Sequence, residues 1–307
     1  MPIPDFQSVM RPVLVAVSDG NPHAMSAVLD EVSRHFGLTE EERAQRIASG
    51  TQTVIKNRVG WARTYLNKAG LLTIPGRAMI QITERGQAAL QQCPERVDVR
   101  YLKSFPEFVA FHTVKQTEEG EQVEGVETNA TVTATPDEQI ALAHQSLHEA
   151  LTDELKQAVQ QSTPLFFEQL VVDLMIAMGY GGSRKEAGKA TKATGDDGID
   201  GIIKEDKLGL DIIYLQAKRW REDRTVHRPE IDKFIGALTR AHAKKGVFIT
   251  TSDFSVGARE AAAGLDMKIV LIDGHELADL MIEHGLGVTT KDVYTVKKLD
   301  TDYFSED

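Results

Sequence analysis

Apolar residues in the first third of the chain recur at helical spacing. Phe6, Val9, Met10, Val13 and Leu14 predict one helix, which Asp19-Gly20-Asn21-Pro22 ends. Val28, Leu29 and Val32 share a face of a second helix over Met25–Phe36, stopped at Gly37. Thr39 followed by Glu40, Glu41 and Glu42 reads as the capped start of a short third helix. A longer helix is expected from about Thr51 to Ala69, ending at Gly70. The pattern then switches to two short apolar runs around Pro75-Gly76, a hairpin, and Gln87–Gln92 closes the unit.

The middle of the chain behaves differently. Thr117 to Gln139 is polar, acidic and free of aromatics, which suits a linker. Helical spacing returns over Gln139–Gln160, where His144 and His148 stand four apart; without a third ligand this reads as a solvated face. Beyond residue 161 helices alternate with strands. Helices are expected over Pro164–Met178, Pro229–Ala243, Ser255–Gly264 and His275–His284. Strands are expected over Gly198–Ile203, Asp211–Lys218, Val247–Thr250 and Lys268–Ile272. The domains predicted are 1–92, 93–160 as acidic linker and connecting helix, 161–290 as an α/β domain, and 291–307 as a tail.

Composition changes this picture in two ways. No run of 18 apolar residues occurs, so no membrane-spanning helix is expected, and the N-terminus carries no secretory pattern. The single cysteine, Cys93, excludes a disulfide framework and a multi-cysteine zinc site; a cytoplasmic location is the default expectation. The net charge of −11 argues against a nucleic-acid partner until it is divided along the chain. Residues 52–92 carry six basic residues and one acid, whereas residues 93–160 carry 5 basic and 13 acidic. A local basic face binds phosphate whatever the total charge.

A small helical cluster followed by a hairpin is the layout of a winged helix. The last helix before the hairpin carries Lys56, Arg58, Arg63 and Lys68, with Trp61 and Tyr65 between them, and Arg77 sits at the wing tip. In a helix-turn-helix that element enters the major groove of DNA. Arg184 and Lys185, in a basic loop that also holds Lys189 and Lys192, are further candidate DNA contacts. Residues 1–92 are expected to stand as an independent reader. The acidic stretch, with Glu118, Glu119, Glu121, Glu124, Glu127, Asp137 and Glu138, either competes with phosphate for these basic groups as an electrostatic brake or is a solvated spacer.

Candidate chemistry lies in GDDGIDGIIKEDKLGLDIIYLQAKRW (195–220). Side chains alternate along a strand, so Tyr214, Gln216 and Lys218 share a face opposite Ile213, Leu215 and Ala217. A turn centred near Lys207 sets Asp200 opposite Tyr214 and diagonal to Gln216. Aspartate, amide oxygen and lysine then converge, an arrangement suited to metal-assisted phosphodiester hydrolysis. Asp200, Gln216 and the carbonyl of Ala217 supply oxygen ligands for Mg²⁺, and Lys218 orients water and offsets charge on the phosphate. Glu168, early in the preceding helix, is a candidate outer ligand. Asp196 and Asp197 either bind metal or shape the turn. A cross-strand Asp–Lys salt bridge is the competing structural account of the same residues. The glycine-rich GGSRKEAGKAT lacks the spacing of a phosphate-binding loop.

FFEQLVVDLMIAMGYGG, the 195–220 segment, RPEIDKFIGAL, KKGVFITTSDFS and LDTDYFSED together resemble the Mrr restriction endonucleases of bacteria. SGTQTVIKNRVGWARTYLNKAGL is similar to the winged-helix domain of the same family. The resemblance implies a PD-(D/E)xK nuclease domain behind a winged helix. It also implies type IV, modification-dependent cleavage of methylated double-stranded DNA with Mg²⁺. The family's catalytic aspartate, glutamine and lysine fall on Asp200, Gln216 and Lys218. Glutamine in place of the usual acid removes one negative charge, which gives Glu168 more weight. A homodimer or higher oligomer is expected, since one such site cuts one strand. The alternatives are a winged-helix regulator with an inactive nuclease domain and a repair or junction nuclease.

Overall fold

The structure is a computed structural model that describes residues 3–112, 133–181, 198–205, 210–221, 223–263, 266–300 and Tyr303. The acidic residues Glu118–Glu127, the basic loop with Arg184, Lys185, Lys189 and Lys192, and Asp196 and Asp197 lie outside the described residues. The chain divides into two units, Met1–Ser146 and Leu147–Asp307.

In the first unit, helices α1 (Phe6–Ala16), α2 (Met25–His35), α3 (Glu40–Ala44) and α4 (Val54–Lys68) follow the predicted order. Asp5 caps α1 by accepting from Gln7 N and Ser8 N, and Thr39 with Glu42 forms a capping box on α3. The periodic residues of α1 are fully buried, and Ile55, Val59, Ala62 and Leu66 of α4 pack in the same core. Strands β2 (Leu72–Thr73) and β3 (Met79–Ile82) form the wing hairpin, paired Leu72 to Ile82. A strand that the sequence pattern did not reveal, β1 (His23–Ala24), pairs with the other edge of β3. Two residues are too few to carry a periodicity. Helix α5 (Glu84–Gln92) follows, then α6 (Val99–Leu102) and α7 (Pro106–His112).

The first core does not stop at residue 92. Val97, Val99, Leu102 and Phe108 belong to it, and Val99 N donates to the buried Gln7 Oε1 at 2.8 Å. The stretch read as the start of a linker is therefore part of the winged-helix unit. Helix α8 (Pro136–Gln161) begins in the first unit and ends in the second.

The second unit is mixed α/β. Its sheet runs β4 (Gly201–Lys204), β5 (Ile212–Lys218), β6 (Lys245–Thr250), β7 (Lys268–Ile272). β4 is antiparallel to β5, while β5, β6 and β7 are parallel. Helix α10 (Arg228–Arg240) links β5 to β6, and α11 (Val256–Ala262) links β6 to β7. Ile213, Leu215, Ala217 and Ile249 face the end of α8, α9 (Pro164–Ala177) and α12 (Gly274–Glu283). Phe248, with Tyr214 at its margin, faces α10 and α11. A parallel sheet covered on both faces explains why β6 is a nearly unbroken apolar run. His148 is not simply solvated: its Nε2 lies 3.1 Å from Asp279 Oδ1 of α12. Among the described residues no helix is long and apolar enough to cross a membrane.

Candidate active site

The β4–β5 pairing places Gly201 opposite Leu215, and Asp200 N donates to Leu215 O at 2.8 Å. Asp200 is therefore level with Gln216, two residues further along β5 than expected. A shift of two preserves the face, because side chains alternate with a period of two. The Asp200 carboxylate sits at the carboxyl end of β5, where its Oδ2 accepts from Ala217 N at 2.8 Å and from the side-chain amide of Gln216. Gln216 is 2 % exposed, so its amide is shielded from water. Gly198, with φ +80°, lays its backbone against this amide: a Cβ there would stand 3.3 Å from Gln216 Oε1. Only a residue at ease with positive φ lets the chain approach so closely.

Lys218 follows one step along. Its carbonyl accepts from Thr250 Oγ1 at 2.9 Å, and Thr251 Oγ1 donates to the next carbonyl but one, that of Trp220, at 2.5 Å. Thr250, Thr251 and Ser252 are buried. This polar triplet pins the end of β5, and sequence reasoning assigned it no role. Its signal was three hydroxyl residues directly after the apolar run of β6. Arg219 is tied down separately, donating to Gln160 O at 2.7 Å. The half-buried Lys218 ammonium has no ion-pair partner among the described residues, so the cross-strand Asp200–Lys218 salt bridge is absent there. Glu168 is half-buried on α9 and makes no hydrogen bond to Asp200, Gln216 or Lys218. It stands one turn before Val172, whose Cγ2 is 3.8 Å from the position a Cβ on Gly201 would take.

A metal site would have to be built from oxygen donors. Among the described residues no group of three or more His, Cys, Asp or Glu could hold an ion. One carboxylate, one amide and one backbone carbonyl are the donors at hand. Within a strand the N–H and C=O of one residue point to the same edge. Ala217 turns its N–H to Asp200, so its carbonyl points to that edge too.

In the first unit the basic residues of α4 divide. Lys56 and Lys68 are exposed, the Lys68 ammonium 5.3 Å from the Phe111 ring centroid, and Arg77 is exposed at the wing. Arg63 is half-buried, its Nε enclosed without a hydrogen-bond partner. Arg58 is turned inward. It donates to Ile3 O at 2.8 Å and Pro4 O at 2.9 Å, and pairs with Glu138 Oε1 at 2.8 Å. Asp137 Oδ2 beside it accepts from Asn57 Nδ2 at 2.9 Å and Trp61 Nε1 at 2.7 Å. The buried Thr135 closes the network by donating to Asn57 Oδ1 at 2.7 Å. Two of the seven acids of the supposed linker thus cover one face of α4. Arg58→Ala would strand the Glu138 carboxylate and two carbonyls. With Arg58 at 20 % side-chain exposure, the expected loss is about 2–4 kcal/mol of first-unit stability. Urea unfolding checks it; an unchanged midpoint would show the network to be ornamental.

Residues 159–281 match a family model described as a restriction endonuclease, and residues 6–92 match the Mrr N-terminal domain. A relative from Escherichia coli strain K12, the type IV methyl-directed restriction enzyme EcoKMrr, is 36% identical over 318 residues, covering 99% of this chain and 100% of the relative. The solved structure of the DNA modification-dependent restriction endonuclease AspBHI is similar at 19% identity and a TM-score of 0.34, over 45% of this chain and 35% of that one. The MspJI restriction endonuclease in complex with a 27-mer oligonucleotide is similar at 16% identity and a TM-score of 0.28, over 60% of this chain and 39% of that one. With both of its units matched and a relative aligned from end to end, the chain belongs to the Mrr family of restriction endonucleases.

Proposed function

We propose that the chain is a type IV endonuclease that binds methylated duplex DNA through the first unit and hydrolyses its phosphodiester bonds in the second. The observation that carries the reading is the Asp200 carboxylate, held by the Gln216 amide and Ala217 N, with Lys218 the next residue along β5 and without an ion-pair partner among the described residues. A purely structural Asp–Lys pair would have closed on itself.

Asp200 Oδ1, Gln216 Oε1, once its amide is turned over, and the Ala217 carbonyl would hold Mg²⁺, which prefers such hard oxygen donors. When bound, the ion lowers the pKa of water and polarises the phosphate. Lys218 orients the attacking water and offsets negative charge growing on the phosphoryl oxygens. Asp200 keeps the Ala217 N–H as its donor when the Gln216 amide turns. Glu168, on α9, is the described carboxylate assigned to add the negative charge that glutamine withholds. The products are a 5′-phosphate and a 3′-hydroxyl, and breaking both strands requires two such sites, hence a dimer or larger assembly.

Plasmid prepared with and without known methyltransferases tests this reading. Cleavage of the methylated form in Mg²⁺, and none in EDTA, is expected. Equal cleavage of both forms removes the modification dependence. For the reader, Lys56→Ala and Lys68→Ala should each reduce the slope of log K against log salt by about 0.9. Unchanged slopes would leave the winged helix without a part in DNA binding.

A further inference from the structure

Beyond Lys218 the chain runs Lys-Arg-Trp-Arg-Glu-Asp-Arg-Thr-Val-His-Arg to residue 228. These positions carry five basic and two acidic residues, within a stretch, 161–307, that holds 20 basic and 25 acidic. Positive charge is gathered at the one edge where a phosphate is to be cut.

The segment is fixed at both ends. Trp220 N donates to Lys218 O at 3.0 Å, and Thr251 Oγ1 donates to Trp220 O at 2.5 Å. Further on, Val226 bridges to Phe254, its N donating to Asp253 O at 2.8 Å and its carbonyl accepting from Ser255 N at 2.9 Å. Between these anchors the Arg224 guanidinium lies 4.2 Å from the centroid of the Trp220 ring. Arg224 makes no ion pair with any described residue. Arg221 is 89% exposed, and its carboxylate partner Asp223 is 3.7 Å away and itself 73% exposed. Arg228 likewise makes an exposed pair with Asp232 at 3.4 Å. Such exposed pairs are worth little and yield readily to a phosphate.

We propose that Arg221, Arg224 and Arg228 form a seat for the DNA backbone flanking the scissile phosphate, with Arg224 on its Trp220 platform as the principal contact. The proposal rests on the nuclease reading above, whose active lysine begins this segment. Guanidinium groups match phosphate oxygens in bidentate geometry, and an arginine already stacked on an aromatic ring loses less freedom on binding than a loose one. A phosphodiester backbone, with regularly spaced charges running away from the cut, fits a row of arginines better than an isolated anion does.

The test uses the full chain. Duplex binding is measured in EDTA, where no cleavage interferes, as a function of salt. Arg221→Ala with Arg224→Ala should lower the log–log slope by about 1.8, two contacts at about 0.9 each. In Mg²⁺ the same variant should raise KM for methylated plasmid about tenfold while kcat falls less than threefold. Arg224→Lys, which keeps the charge and loses the fork, should fall between. An unchanged slope overturns the seat, whatever the cleavage assay gives. A lower slope with unchanged KM overturns its placement beside the cut, and a loss confined to kcat would mean that the arginines act on Lys218 instead. Failure of the nuclease reading is separate: it would appear as full cleavage by Lys218→Ala, a variant whose outcome does not touch the slope.

Discussion

Lys218→Ala is expected to reduce cleavage of methylated plasmid by about 10²–10³-fold or more while leaving stability within about 0.5 kcal/mol of the parent. The two halves of that expectation come from the same observation. The ammonium has no ion-pair partner among the described residues, so removing it strands no buried charge, yet its residue directly follows Ala217, whose N–H holds the carboxylate that the nuclease reading makes the metal ligand. Asp200 is a less clean target. Ala217 N and the Gln216 amide both donate to it, so Asp200→Ala leaves two donors without an acceptor and costs about 1–3 kcal/mol in addition to activity. Asp200→Asn, which retains an acceptor oxygen, separates the effects: it should remain folded and be inactive. Initial rates of nicking and linearisation in Mg²⁺ check both variants. A Lys218→Ala protein that cuts at the parental rate removes the lysine from the reaction.

Truncation should have the second large effect. A fragment of residues 1–92 is expected to unfold at much lower urea than a fragment of residues 1–146. The shorter piece lacks Phe108, which is fully buried against the Tyr65 ring at 5.4 Å between centroids, and it also loses Val97, Val99 and Leu102 from the core. Deleting one buried phenylalanine side chain alone costs about 3–5 kcal/mol, a large share of the roughly 5–15 kcal/mol that holds a domain folded. Arg58, Asn57 and Trp61 would lose their acidic partners as well. Circular dichroism of the two fragments through a urea titration decides the matter, and coincident midpoints would mean that residues 93–146 only decorate the winged helix.

What the sequence made legible follows how local each cause is. The alternation over Ile212–Lys218 is a property of adjacent residues, and it placed Gln216 and Lys218 on one face and Leu215 on the other. The partner strand's register depends on where the connection between β4 and β5 turns, which no apolar pattern marks, and the estimate fell two residues short. Arg58 looked like a groove contact because it lies on a basic helix. Its actual partner, Glu138, is 80 positions away, and nothing local announces such a pairing. Thr250, Thr251 and Ser252 were visible as a polar triplet, but their task is to hold the carbonyls of another strand. Local periodicity was readable, long-range polar pairing was not, and the site is built from both.

The chain leaves α4 and comes back to it. Phe111 and His112 end α7 with their rings against Tyr65, at 5.9 Å and 6.1 Å between centroids, and Thr135 bonds Asn57 on the same helix. His112 and Thr135 thus both belong to the first unit. The boundary between the two units falls later, inside α8, at Ser146–Leu147. Closing a loop of twice the length costs only about 0.6 kcal/mol more. Length and composition between His112 and Thr135 can therefore be altered by insertion at small cost to the fold of the first unit.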